Sequence, residues 1–236
     1  MRRPSKRSLG ASSVCETHGV ASRTRKRRLR AATLDHNAEL WAHIEPESSR
    51  LLLLSALDAF LARGFHAATT REIAERAGMS PAAVYVHWDA KHDLLFEISR
   101  IGHQAVLDVV EQALEQASDE PVERVHSFVS AFATWHAENH ALARVIQYEF
   151  KKLPRRQFRQ IVAIRDRFEE LMRVELAGGV AAGVFDVADL EGTSLAVLSL
   201  CIDLARWYEP SDEHNSAEAV GELYAGLVIR MLRNGS

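Results

Sequence analysis

Two cysteines, Cys15 and Cys201, are all that this 236-residue chain carries. They are too few and too far apart for a disulfide framework or a zinc site, which predicts a reducing, cytoplasmic setting. No apolar run reaches the ~20 residues of a membrane span, and the Arg- and Ser-rich start lacks the apolar stretch of a secretory signal. No strand pattern follows the first hundred residues. Nucleophile and base pairs, glycine-rich phosphate loops and paired carboxylates are also missing, so neither a catalytic site nor a cofactor is expected. His136 and His140 share a helix face at i, i+4, but no third ligand is near and Asn139-His140 reads as a helix break, so no metal site is expected.

The composition is 47% hydrophobic and 26% charged, enough for a substantial core in one or two domains. The formal charge of -3 hides an asymmetry. Residues 1–30 hold ten basic residues against Glu16 alone, leaving nineteen basic and thirty-one acidic residues for the rest. Residues 48–100 balance six against six. Residues 1–46 read as a basic, disordered extension. Two readings stay open for it: an arm that adds phosphate affinity, or a leader upstream of a functional start near Glu47. Leu34, Leu40, Trp41 and Ile44 predict a short helix within residues 33–46 that fastens the extension to the domain.

Thr69 to Lys91 holds stop and start signals for two short helices around a four-residue turn. Thr69 and Glu72 fit a reciprocal capping box, and Ile73, Ala74 and Ala77 form an apolar stripe. Gly78 permits a reversal, Met79 plugs the gap, and Ser80-Pro81 is an N-cap followed by proline at the first helical position. This is a helix-turn-helix, whose second helix, Ala82 to Trp88, enters the DNA major groove. Ala82 and Ala83 allow close approach to the bases, while Tyr85, His87 and Lys91 are donors aimed at phosphates. Trp88 reads as a core aromatic.

A first helix is predicted from Glu47 to Arg63, ending at Gly64, and a long helix from Lys91 to Ala117. Further helices are predicted over 121–139, 140–151, 154–177, 189–208 and 216–232, nine in all plus a possible tenth near the N-terminus. The 121–139 and 154–177 helices each carry an apolar seam with one polar residue, His136 and Arg165. Arg165 requires a partner: Glu169 at i, i+4, water, or an anionic ligand. Gly102 sits on the seam of the long helix, making room for a ligand or a neighbouring helix. The 189–208 helix is apolar on two faces, with Leu195, Leu198 and Ile202 on one. With Leu223 and Leu227 of the last helix they predict half of a four-helix dimer interface.

Residues 50–100 resemble the DNA-binding domain of the TetR family of bacterial regulators. The resemblance rests on Ala56, Phe60, Gly64-Phe65, Thr69-Thr70, Ile73-Ala74, Ala77-Gly78, Ser80, Tyr85, His87-Trp88 and Lys91. Trp88 stands where the family usually has phenylalanine. The resemblance implies that Thr70, Tyr85, His87 and Lys91 contact the DNA backbone, with bases facing Ala82 and Ala83. More weakly, segments of residues 120–232 resemble actinobacterial repressors of lipid and sterol degradation genes, whose inducers are acyl-CoA thioesters.

The expectation is therefore an all-α protein: an extension (1–46), a helix-turn-helix domain (47–92) and a ligand-binding and dimerisation domain (93–236). It acts as a homodimeric repressor on a near-palindromic operator, released by a small apolar or amphipathic ligand such as an acyl-CoA. The alternative is a ligand-independent architectural DNA-binding dimer. DNA-contact candidates are Thr69, Thr70, Arg71, Ser80, Ala82, Ala83, Tyr85, His87 and Lys91. Ligand-contact candidates are Gly102, Phe128, Phe132, Trp135, Arg165, Phe168 and Met172. No membrane association is expected.

Overall fold

The computed structural model describes residues 38–210 and 216–233, so most of the predicted extension, Leu34 included, lies outside the described residues. The described residues form helices only: α1 (Ala38–Trp41), α2 (Glu47–Ala67), α3 (Thr70–Arg76), α4 (Pro81–His87), α5 (Lys91–Gln116), α6 (Pro121–Glu138), α7 (His140–Glu149), a 3-10 turn (Phe150–Lys152), α8 (Arg155–Ala181), α9 (Leu190–Ile202), α10 (Leu204–Trp207) and α11 (Ala217–Arg233). None is long and apolar enough to cross a membrane.

Trp41 on α1 is wholly buried in the core, with Leu40 and Ile44 packed beside it. The predicted stop at Gly64 is a kink at φ 75°, ψ 163°, after which α2 resumes for one turn. Gly78 turns the chain between α3 and α4 at φ 71°, a left-handed conformation that disfavours any side chain. Met79 N then donates to Ala74 O at 2.9 Å.

The capping box is only half made. Thr69 Oγ1 accepts from Glu72 N at 3.1 Å, but the Glu72 carboxylate turns to Arg76 and Arg63. These two guanidinium groups, Arg76 foremost, hold its pKa below the ordinary carboxylate value. The expected 189–208 helix is interrupted at Asp203, whose N–H is shared between Ser199 O and Cys201 O as the ladder tightens.

α5 joins the two halves of the molecule, packing on α2 below and on α6, α7 and α8 above. α11 packs along α6. Arg124 on α6 ties α8 through Glu175 with two bonds of 2.7 and 2.8 Å, and also donates to Leu114 O at the end of α5. Burial pushes the Cys201 thiol up to about 12, which marks it as a packing residue.

Candidate nucleic-acid interface and internal cavity

The exposed face of α3 and α4 brings several predicted residues together. Thr70 Oγ1 and Tyr85 OH are 3.1 Å apart at the surface, and Tyr85 is 57% exposed. Ala82 is exposed and Ala83 half-buried, so the start of α4 presents little more than backbone, as close approach to a groove floor requires. His87 Nε2 meets Ser48 Oγ at 3.0 Å, which ties the end of α4 to the start of α2. Thr69 caps α3 and Arg71 is bound to Glu75. Ser80 sits at the N-cap of α4 without a side-chain cap bond. Val86 was not singled out from sequence, yet it is 77% exposed on the recognition helix. A valine reads as core in a periodic pattern, so only the observed rotation of α4 reveals it.

Lys91 is placed differently from a free phosphate donor. Its ammonium donates to Phe65 O at 2.5 Å, Ala68 O at 2.7 Å and His66 O at 3.3 Å, and lies 4.4 Å from the centre of the Phe65 ring. It closes the carbonyl end of α2, as a cation does at a helix C-terminus. Burial lowers its pKa, partly countered by Glu149. Trp88 is half-buried against the core as expected, although its indole N–H is buried without a partner.

A second site lies inside the C-terminal half, between α5, α6, α7, α8 and α9. It is a cavity of about 60 Å³ lined by Gly102, Phe132, Trp135, Arg165 and Phe168, as predicted, together with His103, His136, Gln147, Glu169 and Leu195 among others. Phe128 and Met172 are wholly buried but do not line it. Met172 lies on the predicted seam of α8 and Phe128 beside that of α6, but the cavity meets those seams at Phe132, His136, Arg165 and Phe168. A Cβ on Gly102 would come within 2.3 Å of Ile146 Cδ1, so this glycine serves the close packing of α5 against α7.

The predicted Arg165–Glu169 pair is not formed: among the described residues no carboxylate lies within 4.0 Å of the Arg165 guanidinium. Arg165 Nη1 donates to Gln147 Oε1 at 3.1 Å, and the guanidinium lies 5.0 Å from the centre of the Phe150 ring. Burial lowers its pKa, opposed by Glu169 and Asp166. The reason is geometric, since Arg165 turns inward while Glu169 stays exposed.

His103 and His136 face the same cavity. Their Nδ1 atoms lie 2.7 Å from Ser99 O and 2.8 Å from Phe132 O. A carbonyl accepts only, so Nδ1 carries the hydrogen and Nε2 of each neutral ring is an acceptor. Burial, with Arg165 adding repulsion, drops both pKa values to about 4. The cavity therefore combines aromatic walls, one cationic donor, two neutral acceptor rings and the exposed Glu169 carboxylate. The second half of the His136/His140 pair points elsewhere, with His140 packed edge-on to Tyr208.

The apolar outer face differs in part from expectation. Leu195, Leu223 and Leu227 are exposed, at 54%, 54% and 38%, and Met231 at 61%. Ile202 is half-buried, while Leu198 is turned inward and buried. Leu200 takes an outward position instead.

Comparison with known proteins matches this geometry. The profile for bacterial regulatory proteins of the tetR family covers residues 52–98, and that for the tetracyclin repressor-like C-terminal domain covers residues 118–232. The HTH-type transcriptional repressor KstR2 of Mycolicibacterium smegmatis is 29% identical over 188 residues, 78% of this chain and 91% of that protein. A bacterial regulatory protein in the tetR family from Rhodococcus RHA1 superposes with a TM-score of 0.74 at 37% identity, covering 79% of this chain and 97% of that one. AibR, solved in complex with isovaleryl coenzyme A and operator DNA, shares the fold at 20% identity, with a TM-score of 0.68 over 78% of this chain and 97% of its own. With the helix-turn-helix, the all-helical second half and these matches in agreement, the chain belongs to the TetR family of DNA-binding transcriptional regulators.

Proposed function

We propose that this regulator is a homodimeric repressor that leaves a near-palindromic operator when an amphipathic ligand of the acyl-CoA class enters the cavity of its C-terminal half. The observation that carries this reading is Arg165, a half-buried cation on the wall of an aromatic cavity, held by one neutral amide and a ring instead of a carboxylate. Such a cation is costly unless a ligand oxygen completes its shell. Kinship with KstR2 supports a repressor, and the coenzyme A thioester bound by AibR supports the ligand class.

At about 60 Å³ the cavity is far smaller than the ~300–1,000 Å³ of sites that take drug-sized molecules. An acyl chain fits only if the helices part. α5 is one wall, and only three residues separate it from α4, so parting the wall moves the recognition helix. Two half-sites one helical turn apart, roughly 34–36 Å, fix the spacing of the two recognition helices, and a ligand that binds only the parted form shifts the dimer off DNA. The exposed Leu195, Leu223, Leu227 and Met231 supply an apolar face for a second copy. Thr70, Tyr85 and His87 serve as backbone contacts, Ala82, Ala83 and Val86 face bases, and Lys91 positions α5 on α2.

The small cavity volume also favours a second reading, a ligand-independent architectural dimer. One titration separates the two. Operator selected from random duplexes is bound, then short- to long-chain acyl-CoA thioesters and free coenzyme A are added. Release by thioesters but not by coenzyme A alone is expected; no release by any chain length supports the architectural dimer.

A further inference from the structure

All four arginines between Glu47 and Ala90 are tied to carboxylates of the same domain. Arg50 binds Glu47 at 3.4 Å, Arg63 binds Glu72 at 3.0 Å, Arg71 binds Glu75 at 2.9 Å, and Arg76 binds both Glu72 at 2.7 Å and Asp58. That stretch contains no lysine, and Lys91 is committed to three carbonyls. Each Lys and Arg of the helix-turn-helix domain thus already has an acceptor within the domain, Arg71 through an exposed and weak pair, whereas proteins hold duplexes largely through phosphate charge.

An uncommitted cationic edge lies beside it. Lys151, Lys152, Arg155, Arg156 and Arg159 fall within nine residues that contain no acid, and all five are exposed. Among the described residues only Lys152 of the five has a carboxylate within reach, that of Glu149. Two contacts place this segment at the DNA-binding end of the upper domain. Gln157 Nε2 donates to Asp93 Oδ1 at 2.6 Å, two residues beyond Lys91. Glu149 Oε1 lies 3.3 Å from the Cβ position of Gly64, at the kink of α2.

The direction of these cations separates them from the cavity. At about 100° per residue, Arg155, Arg159 and Arg156 lie roughly 80° to 180° around α8 from Arg165. They face solvent, not a molecule bound beside Phe132 and Phe168. We propose that the edge formed by Lys151, Arg155, Arg156 and Arg159 grips the phosphate backbone of duplex DNA flanking the segment read by α4. It adds affinity without sequence preference. The contact comes from the ligand-binding domain, so DNA affinity would depend directly on how that domain sits over the helix-turn-helix.

The test uses the full chain and a random-sequence 30-base-pair duplex, with fluorescence anisotropy over a series of KCl concentrations. The quadruple variant Lys151→Gln, Arg155→Gln, Arg156→Gln, Arg159→Gln changes only exposed side chains, and its circular dichroism checks the fold. Each lost phosphate contact lowers the slope of log affinity against log salt by about 0.9. A slope flatter by about 2 or more, with affinity at low salt reduced by at least about tenfold, is the expected result. An unchanged slope overturns the proposal. An unchanged slope with weakened acyl-CoA binding would overturn it in favour of the ligand's own phosphates. A wild type that binds no duplex at all would instead contradict DNA binding itself.

Discussion

Arg76 and Arg165 show how differently the two halves of the molecule use a guanidinium. Arg76 sits between Glu72 and Asp58 and fastens α3 to α2, and these carboxylates raise its pKa against the opposing effect of burial. Arg165 is the more deeply buried, has one amide and one aromatic ring as neighbours, and its pKa is lowered by that burial. A cation closed by carboxylates is a strut. A cation kept in an apolar cavity without one has an incomplete shell, and the two acceptor imidazoles beside it extend that polarity. The lower half thus closes its inter-helix cation with carboxylates, and the upper half leaves Arg165 among neutral groups.

The largest effect that sharpens the comparison is acid lability of the upper half at mildly acidic pH. His103 and His136 have folded pKa values of about 4, below the ~6.5 of an unfolded histidine. Between those values the unfolded chain binds the extra protons, so stability is complete above about pH 6.5 and falls as pH drops toward 4. Each histidine loses on the order of 3 kcal/mol across that window. Arg165 and Glu169 face the same cavity. Denaturant melts at pH 7.0 and 5.0 should show the loss, and His103→Gln with His136→Gln should flatten it. Equal pH dependence in the variant would place the acid lability elsewhere.

Breaking the strut comes next. Arg76→Gln should cost about 2 kcal/mol, between the values for exposed and buried pairs, and should weaken DNA binding by loosening α3 while leaving the cavity untouched. Chemical denaturation together with duplex binding checks both halves of that statement. A smaller effect is expected at the surface: Tyr85→Ala should weaken operator and random duplex alike by about fivefold, near the net worth of one hydrogen bond. Discrimination lost with random-site affinity unchanged would show that Tyr85 reads bases.

The two halves also differ in how much of each was legible in the sequence. Thr69, Gly78 and Ser80-Pro81 act within a few residues of themselves, so the helix-turn-helix could be read locally. Lys91 could not, because its carbonyl partners lie more than twenty residues upstream. In the upper half periodicity found the seams of α6 and α8, but which seam residue meets a void depends on how neighbouring helices pack. Phe132 and Phe168 reach the cavity and Phe128 and Met172 do not. Leu198, expected on the outer face, is buried because the rotation of α9 about its axis is set by its neighbours. His103 gave no motif at all; its role emerges only when α5 and α6 place two imidazoles beside Arg165.

Operator release in wild type and Arg165→Ala, titrated with the same acyl-CoA series, tests the contrast between strut and sensor most directly. Loss of a charge-assisted hydrogen bond of about 1.5–3 kcal/mol predicts a variant that binds operator with wild-type affinity but needs on the order of ten to a hundred times more thioester to let go. Equal release by wild type and variant, at equal operator affinity, would contradict the account and return Arg165 to a purely structural role beside Gln147 and Phe150.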